Sequence, residues 1–219
     1  MVDDSRGRHV VDCLVDRLKV PLPGRRAHRR LAPSLAYGRH AGPPSPSAKR
    51  AAVAVLLYPD ETGEWAFPLT VRPHHMKDHA GQVCLPGGVL ECRESAEVCA
   101  LRETEEELGV PPSSLRALCV LTPVYVFGTN YLMQPVVFVA RERPQWLPCP
   151  DEVAHVLEVS LKDFLTWPEA STRRMTRSGL SFDAPGWPWH GFWIWGATAM
   201  VLAEWMDVVR SVVACGSER

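Results

Sequence analysis

Apolar and polar positions along this chain change their period from block to block, which predicts a mixture of strands and helices. Two apolar runs have the length of buried strands: AAVAVLLY, which starts at Ala51, and MQPVVFVA, which ends at Ala140. Further strands are expected at residues 65–71, 115–123 and 191–194. Because proline cannot donate to a strand ladder, Pro68 weakens the strand at 65–71 or places it at a sheet edge.

The helical period occurs in four places. Residues 8–19 form a short amphipathic segment, a short helix is expected from Ser160, and residues 196–213 form a closing amphipathic helix. The central helix has clear end signals, with Ser95 as the N-cap and Gly109 as the residue after the last turn. Strands on both sides of such a helix indicate an α/β or α+β fold.

The central helix concentrates acid on one face. Glu103, Glu106 and Glu107 share this face at spacings of three and four residues. The opposite face carries residues that can pack on a core, namely Leu101, Thr104 and Leu108. Like charges at this spacing repel, so the cluster suggests a compensating hard cation such as Mg²⁺, with a solvated acidic face as the alternative. Arg102 can pair with Glu106 or Glu94 and hold the acids in place.

Composition is that of an ordinary globular protein. With 219 residues, of which 46% are hydrophobic, the chain can bury one sizeable core and at most a small additional element. Its net charge of −1 gives no basic field for nucleic acid or an anionic membrane. Residues 184–203 contain no Asp, Glu, Lys or Arg, but glycines and prolines interrupt them, which indicates a buried strand followed by a helix.

Three regions are expected along the chain. Residues 1–50 contain the first helix and an arm rich in proline and arginine, residues 51–213 form the main domain, and residues 214–219 form a tail. The arm carries seven basic residues and no acid between positions 25 and 50. Such a run is typical of a solvated segment, with contact to phosphates as the alternative.

The sequence around the acidic helix resembles the Nudix box, G-x5-E-x7-R-E-U-x-E-E-x-G-U, in which U is a bulky apolar residue. All the fixed positions of the box are present: Gly88, Glu94, Arg102, Glu103, Glu106, Glu107 and Gly109. The first U position is the one departure, because Thr104 occupies it, whereas Val110 fits the last. The resemblance implies a Nudix-type α/β/α sandwich with a mixed β-sheet. It also implies Mg²⁺- or Mn²⁺-dependent hydrolysis of a nucleoside diphosphate linked to another group.

The preceding residues, 69–88, resemble the motif found before the box in the coenzyme A pyrophosphatase branch. The matching positions are Leu69, Thr70, Arg72, Gly81, Pro86, Gly87 and Gly88, with His79 and Gln82 fitting an H-x-G-Q segment. Pro68, Pro73, Lys77 and Leu85 depart from that motif. Similarity continues in DEV at 151–153 and IWGATA at 194–199. The branch implies coenzyme A or acyl-CoA as substrate, with 3′,5′-ADP and (acyl-)4′-phosphopantetheine as products.

The resemblance also assigns roles to individual residues. The expected catalytic residues are Arg102, Glu103, Glu106 and Glu152, with Glu103 and Glu152 as alternative general bases. The expected metal ligands are Glu103, Glu106, Glu107 and a backbone carbonyl at Gly87. The expected substrate contacts are Arg72, Lys77, His79 and Gly88. Structural roles are the alternatives: a salt bridge for Arg72, loop ordering for His79, solvation for Lys77 and loop capping for Glu152.

Two other functions are kept open. The first is a Nudix hydrolase that acts on ADP-ribose, NADH or a dinucleoside polyphosphate, and the second is a Nudix-fold binding module without turnover. The expected partner is a nucleotide-like small molecule, with neither nucleic acid nor membrane, and a homodimer remains open. Seven cysteines without a C-x-x-C pair, and no secretory signal, favour a reducing, cytoplasmic location.

Overall fold

The structure, a computed structural model, describes residues 4–34, 42–76, 78–177 and 179–216. The helices are α1 (Asp4–Arg17), α2 (Arg25–Arg29), α3 (Ala96–Leu108), α4 (Leu161–Leu165) and α5 (Gly196–Gly216). The first strands are β1 (Lys49–Pro59), β2 (Trp65–Val71), β3 (Val83–Cys84), β4 (Gly87–Val89), β5 (Leu115–Val120) and β6 (Val124–Val126). The later strands are β7 (Tyr131–Ala140), β8 (His155–Ser160), β9 (Ser171–Arg177), β10 (Leu180–Trp189) and β11 (Phe192–Trp195). The expected mixed α and β fold is therefore confirmed.

Strand β1 lies at the centre of a mixed sheet. It pairs in parallel with β7, from Lys49 opposite Tyr131 to Leu57 opposite Val139. Its other edge is shared by β4 near its start and by β2 at its end. The main path is β3–β2–β1–β7–β5, with β6 added to β7 and β8 added to β2. Strands β9, β10 and β11 form a second, antiparallel sheet, of which only β11 was expected from the sequence.

Alternation along β1 divides the core into two layers. Ala52, Ala54 and Leu56 pack with Cys99 and Leu108 of α3. The intervening residues of β1 pack on the other face of the sheet, with α5 among their neighbours. This two-sided burial explains the uninterrupted apolar run in β1, and it produces the expected α/β/α arrangement.

Of the two effects considered for Pro68, the edge position of the strand at 65–71 is wrong. Strand β2 is an interior strand, because β8 pairs with it along one side while β1 and then β3 pair along the other. On this second side, β1 pairs with β2 only as far as Ala66, and the pairing with β3 starts at Thr70. Pro68 therefore lies between the two paired stretches. Proline is tolerated inside the sheet because the pairing on that side is interrupted where it lies.

The N-terminal segments are packed onto the main core. Buried side chains of α1 and α2, including Leu14 and Ala27, join the apolar cluster that contains α5. Residues 20–34 therefore follow a defined path over α5. Among the described residues, no helix is long and apolar enough to cross a membrane.

A buried carboxylate on α5 fixes this path. Glu204 has no exposed surface and accepts hydrogen bonds from the backbone N–H of Gly24 (3.1 Å) and of Thr122 (3.1 Å). The Thr122 hydroxyl donates a third bond at 2.7 Å, and His28 Nε2 lies 3.0 Å from the other carboxylate oxygen. One side chain thus joins α5, the N-terminal arm and the loop between β5 and β6.

We expect Glu204→Gln to lower the free energy of unfolding by about 2–4 kcal/mol, because an amide replaces one of the two acceptor oxygens with a donor and leaves buried N–H groups unpaired. Urea unfolding followed by circular dichroism measures the change. The matched control is Asp207→Asn, one turn further along α5. Asp207 is 28% exposed and pairs with Arg30, so its replacement should cost less than about 1 kcal/mol. Equal losses in the two variants would contradict the role given to Glu204.

Candidate active site

Helix α3 begins and ends where the sequence predicts. The Ser95 hydroxyl accepts a hydrogen bond from the Val98 N–H at 3.2 Å, and Gly109 adopts a left-handed conformation with φ of 70°. Thr104, the departure at an apolar position, is fully buried, and its hydroxyl donates to the Ala100 carbonyl at 2.6 Å. The substitution is tolerated because the helix backbone satisfies the hydroxyl.

Arg102 donates hydrogen bonds to three acids of the box. Its Nε donates to Glu94 at 3.0 Å, while one terminal nitrogen donates to both Glu103 and Glu106 at 2.9 Å. The other terminal nitrogen donates to the Val89 carbonyl at 3.2 Å. These contacts raise the pKa of Arg102 and lower the pKa of Glu94. Both pairings expected for Arg102 are present, together with the pairing to Glu103.

Two glycines bring β4 against this helix. A Cβ atom placed on Gly88 would lie 2.3 Å from a carboxylate oxygen of Glu103. At Gly87, where φ is 150°, the added atom would lie 2.2 Å from the Ala52 carbonyl oxygen. The close approach of β4 to the backbone of β1 therefore requires glycine at position 87, whereas a side chain at position 88 would displace the Glu103 carboxylate.

Glu107 is the most deeply buried acid of the box. Glu107 is only 3% exposed, and its Oε2 atom has no hydrogen-bond partner among the described residues. Burial raises the pKa of Glu107 to about 8, and repulsion from Glu103 and Glu152 adds to this rise. Arg72 and the backbone of Gly87 act in the opposite direction. A carboxylate in this position is poised to accept a cation, which would supply the missing partner.

Glu103 is also partly buried, and the charge of Glu152 raises the pKa of both Glu103 and Glu107. Burial raises the pKa of Glu103, Arg102 opposes the rise, and repulsion from Glu106 and Glu152 adds to it. The Cys149 N–H donates to the Glu107 carbonyl at 2.9 Å, which docks the segment containing Glu152 against the end of α3. The sequence indicated Glu152 as a candidate, and its electrostatic influence on α3 is consistent with a position facing the box.

Arg72 lies close enough to Glu107 to lower the pKa of that acid. Its Nε atom is buried and has no hydrogen-bond partner among the described residues. A buried guanidinium donor and a buried carboxylate oxygen are thus both unpartnered in one neighbourhood, an arrangement that suits a phosphate and a cation. The salt bridge considered for Arg72 as a purely structural role is absent from the ion pairs of the described residues.

The loop after Arg72 brings His79 into the same region. His79 Nδ1 lies 2.8 Å from Gln82 Oε1, and His79 has a left-handed backbone with φ of 59°. Gly81 packs so closely on His74 that a Cβ atom there would lie 2.6 Å from its ring. Lys77 lies outside the described residues.

A cavity of about 350 Å³ opens beside the glycines of β4. Predicted site residues contribute to its lining, namely Arg72, His79, Gly87 and Gly88. Most other lining residues are apolar, including Ala51, Val53, Met133, Phe182 and Trp195. Ala51 and Val53 face the α5 side of the sheet, opposite α3, so Gly87 and Gly88 form the boundary between the cavity and the acids.

Sequence reasoning missed most of the cavity wall. Phe182 lies on β10, a strand that alternating apolar and polar residues did not reveal, and Pro33 lies in the arm. The IWGATA segment was the available signal, since Trp195, Gly196, Ala197 and Thr198 all line the cavity. Of the four nearby tryptophans, Trp187 is buried in the core whereas Trp195 faces the cavity.

The residues present suit a divalent cation that keeps water and substrate ligands. Within the described part of the chain, no three His, Cys, Asp or Glu side chains are grouped so as to hold a metal by themselves. Glu106 is held by Arg102 and is 53% exposed, which leaves Glu103 and Glu107 as the acids beside the glycines. A few carboxylates completed by backbone, water and phosphate oxygens are typical of Mg²⁺.

Solved structures with similar folds include Nudix proteins. The Nudix hydrolase RenU from M. smegmatis is 25% identical, with a TM-score of 0.46 over 53% of this chain and 73% of its own. An Ap4A hydrolase from C. elegans, in a binary complex, is 15% identical, with a TM-score of 0.49 over 78% of this chain and 99% of its own.

Sequence comparisons give the family. The NUDIX domain model matches residues 48–178. The protein named "Uncharacterized Nudix hydrolase NudL" from Salmonella paratyphi B is 35% identical over 138 residues, which cover 62% of this chain and 71% of that relative. The protein of the same name from Salmonella newport gives the same values. This chain therefore belongs to the Nudix hydrolase family and is a pyrophosphohydrolase of nucleoside diphosphate derivatives.

Proposed function

We propose that the enzyme hydrolyses the pyrophosphate bond of coenzyme A or acyl-CoA, releasing 3′,5′-ADP and (acyl-)4′-phosphopantetheine. The observation that carries this proposal is the mainly apolar cavity of about 350 Å³ that adjoins Arg72, Gly87 and Gly88. A pyrophosphate beside the box would leave room in this cavity for a long, partly apolar group. The resemblance of residues 69–88 to the coenzyme A pyrophosphatase motif supports the same substrate, because Arg72, His79 and Gln82 all line the cavity.

Each residue has a role that follows from its surroundings. Arg72 binds a phosphate oxygen through its unpartnered Nε donor, and His79 orders the loop and contacts the substrate. Gly88 allows the substrate to approach Glu103 closely. Lys77 is kept as a further phosphate contact on sequence grounds alone.

The acids of α3 form the metal site in this proposal. Glu103 and Glu107 would be direct ligands of Mg²⁺ or Mn²⁺, a backbone carbonyl at Gly87 would contribute an oxygen, and Glu106 would be a further ligand or orient a water. When bound, the cation neutralises the pyrophosphate and makes a coordinated water more acidic. Arg102 positions Glu103 and Glu106 through its two 2.9 Å hydrogen bonds.

A carboxylate accepts the proton of the attacking water. Glu103 and Glu152 are the two candidates, since both lie close enough to raise the pKa of Glu107. Burial raises the pKa of Glu103, which favours it as a base, whereas the hydrogen bond from Arg102 opposes that rise. Transition-state charge spreads over the phosphoryl oxygens, so positioning by Arg72 and the acids should supply much of the rate.

Product identity tests the proposed substrate. We expect purified protein with Mg²⁺ and a mixture of coenzyme A, ADP-ribose, NADH and diadenosine tetraphosphate to release chiefly 4′-phosphopantetheine and 3′,5′-ADP, measured by mass spectrometry. Preferential cleavage of another member of the mixture would retain the Nudix chemistry and reject coenzyme A. Boiled protein and a reaction with chelator are the controls.

The metal role of Glu107 predicts a strong dependence on Mg²⁺. We expect Glu107→Gln to weaken Mg²⁺ activation by at least about tenfold, since even residues that support a metal ligand contribute 10- to 100-fold. Steady-state rates over a Mg²⁺ titration measure this. The matched control, Glu105→Gln, removes an exposed acid from the same helix and should leave the titration unchanged. Full activity of Glu107→Gln at limiting Mg²⁺ would reject the assignment.

The raised pKa of Glu107 predicts a pH effect on stability without metal. Glu107 keeps its proton up to about pH 8 in the folded protein, whereas the unfolded chain releases it near pH 4.5. The free energy of unfolding therefore falls as the pH rises between these values, by up to about 1.4 kcal/mol per pH unit. We expect Glu107→Gln to abolish this fall, because the amide does not titrate. Chemical unfolding in chelator from pH 5 to 8 compares the two proteins. Parallel pH profiles would contradict the prediction.

A further inference from the structure

The outer wall of the cavity comes from segments on both sides of the sequence that matches the NUDIX domain. That match runs from residue 48 to residue 178. Pro33 comes from the arm before it, whereas Phe182 and Trp195 come from the second sheet after it. These three lining residues meet in space although more than 140 positions separate the first from the second.

Several contacts hold this wall in place. The N–H of Asp183 donates to the Ser34 hydroxyl at 2.8 Å, which fastens the end of the arm to β10. The rings of Phe182 and Trp195 lie 5.6 Å apart and tilt by 41°. Glu204 anchors the start of the same arm segment at Gly24. The wall is therefore preformed, which reduces the entropy lost when a ligand binds.

The chemistry of the cavity favours an apolar occupant. Thr198, which lines it, donates its hydroxyl to the Val83 carbonyl at 3.0 Å, and His79 and Gln82 contact each other. The volume is about twice the roughly 150 Å³ of an engineered apolar cavity that binds benzene. An aliphatic chain of several carbons can therefore be buried here, next to aromatic rings.

We infer that Pro33, Phe182 and Trp195 are specificity-determining residues that bind the acyl chain of an acyl-CoA. This inference rests on the proposed function and extends it, because it places selection among coenzyme A derivatives in the flanking segments. With the pyrophosphate at Arg72 and the glycines of β4, the pantetheine arm runs along the cavity and brings the acyl chain to the wall of Pro33, Phe182 and Trp195, which line the same cavity.

The experiment measures kcat/KM for coenzyme A and for its acetyl, butanoyl, hexanoyl and octanoyl thioesters, from the release of 3′,5′-ADP by the 219-residue chain. In the unaltered protein we expect kcat/KM to rise with chain length, by up to about fourfold for each buried methylene and at least about tenfold from acetyl to octanoyl. A flat profile, with coenzyme A itself cleaved, would overturn the inference and leave the proposed function intact.

Two substitutions test the wall from opposite directions. Ala51→Leu adds volume to the cavity floor and should lower the octanoyl-to-acetyl ratio at least about tenfold. Phe182→Ala removes a ring from the wall and should lower the same ratio at least about threefold. If Phe182→Ala does not fold, Ala51→Leu decides the matter alone.

The matched control for the wall is Leu180→Ala, which shortens a 60% exposed apolar side chain on the same strand. Its chain-length profile should equal that of the unaltered protein. Unchanged ratios in both Ala51→Leu and Phe182→Ala would overturn the inference. Failure to cleave coenzyme A and all its thioesters, while ADP-ribose or diadenosine tetraphosphate is cleaved, would reject the proposed function together with the inference.

Discussion

The candidate site depends on holding several carboxylates close together where water is scarce. Burial raises the pKa values of Glu103 and Glu107, and repulsion from Glu152 adds to both rises. Arg102 opposes this repulsion on the exposed side of α3, and Arg72 opposes it on the cavity side. The unpartnered oxygen of Glu107 shows that the two arginines leave the compensation incomplete, which is the condition that favours uptake of a cation.

Steric constraints explain how acids on one face of a sheet can serve a cavity on the other. Helix α3 packs against one side of β1, while the cavity lies on the side of α5. Strand β4 lies between them, and its Gly87 and Gly88 have no side chains that could separate the two spaces. Larger residues there would strike Ala52 or Glu103, so the same two positions set both the packing of the sheet and access to the acids.

The sequence allowed local features to be predicted better than distant contacts. The ends of α3 and the pairing of Arg102 depend on residues within about fifteen positions, so spacing alone was sufficient. The second sheet was largely missed because β9 carries exposed polar residues and β10 contains prolines and glycine, which obscure an alternating pattern. The position of Pro68 required knowledge of which strands meet on each side of β2, and no local pattern contains that information.

Glu204 illustrates the same limit for function. An acid within an apolar helix gives no sign, in the sequence, of the backbone groups of Gly24 and Thr122 that it binds. Those contacts position the arm whose Pro33 reaches the cavity, so a residue outside the site influences its shape. In the proposed function, the chemistry of hydrolysis is carried by one compact motif that is readable in sequence. The wall that we infer to select the substrate is assembled from distant segments, and for that reason it can be recognised only once the fold is known.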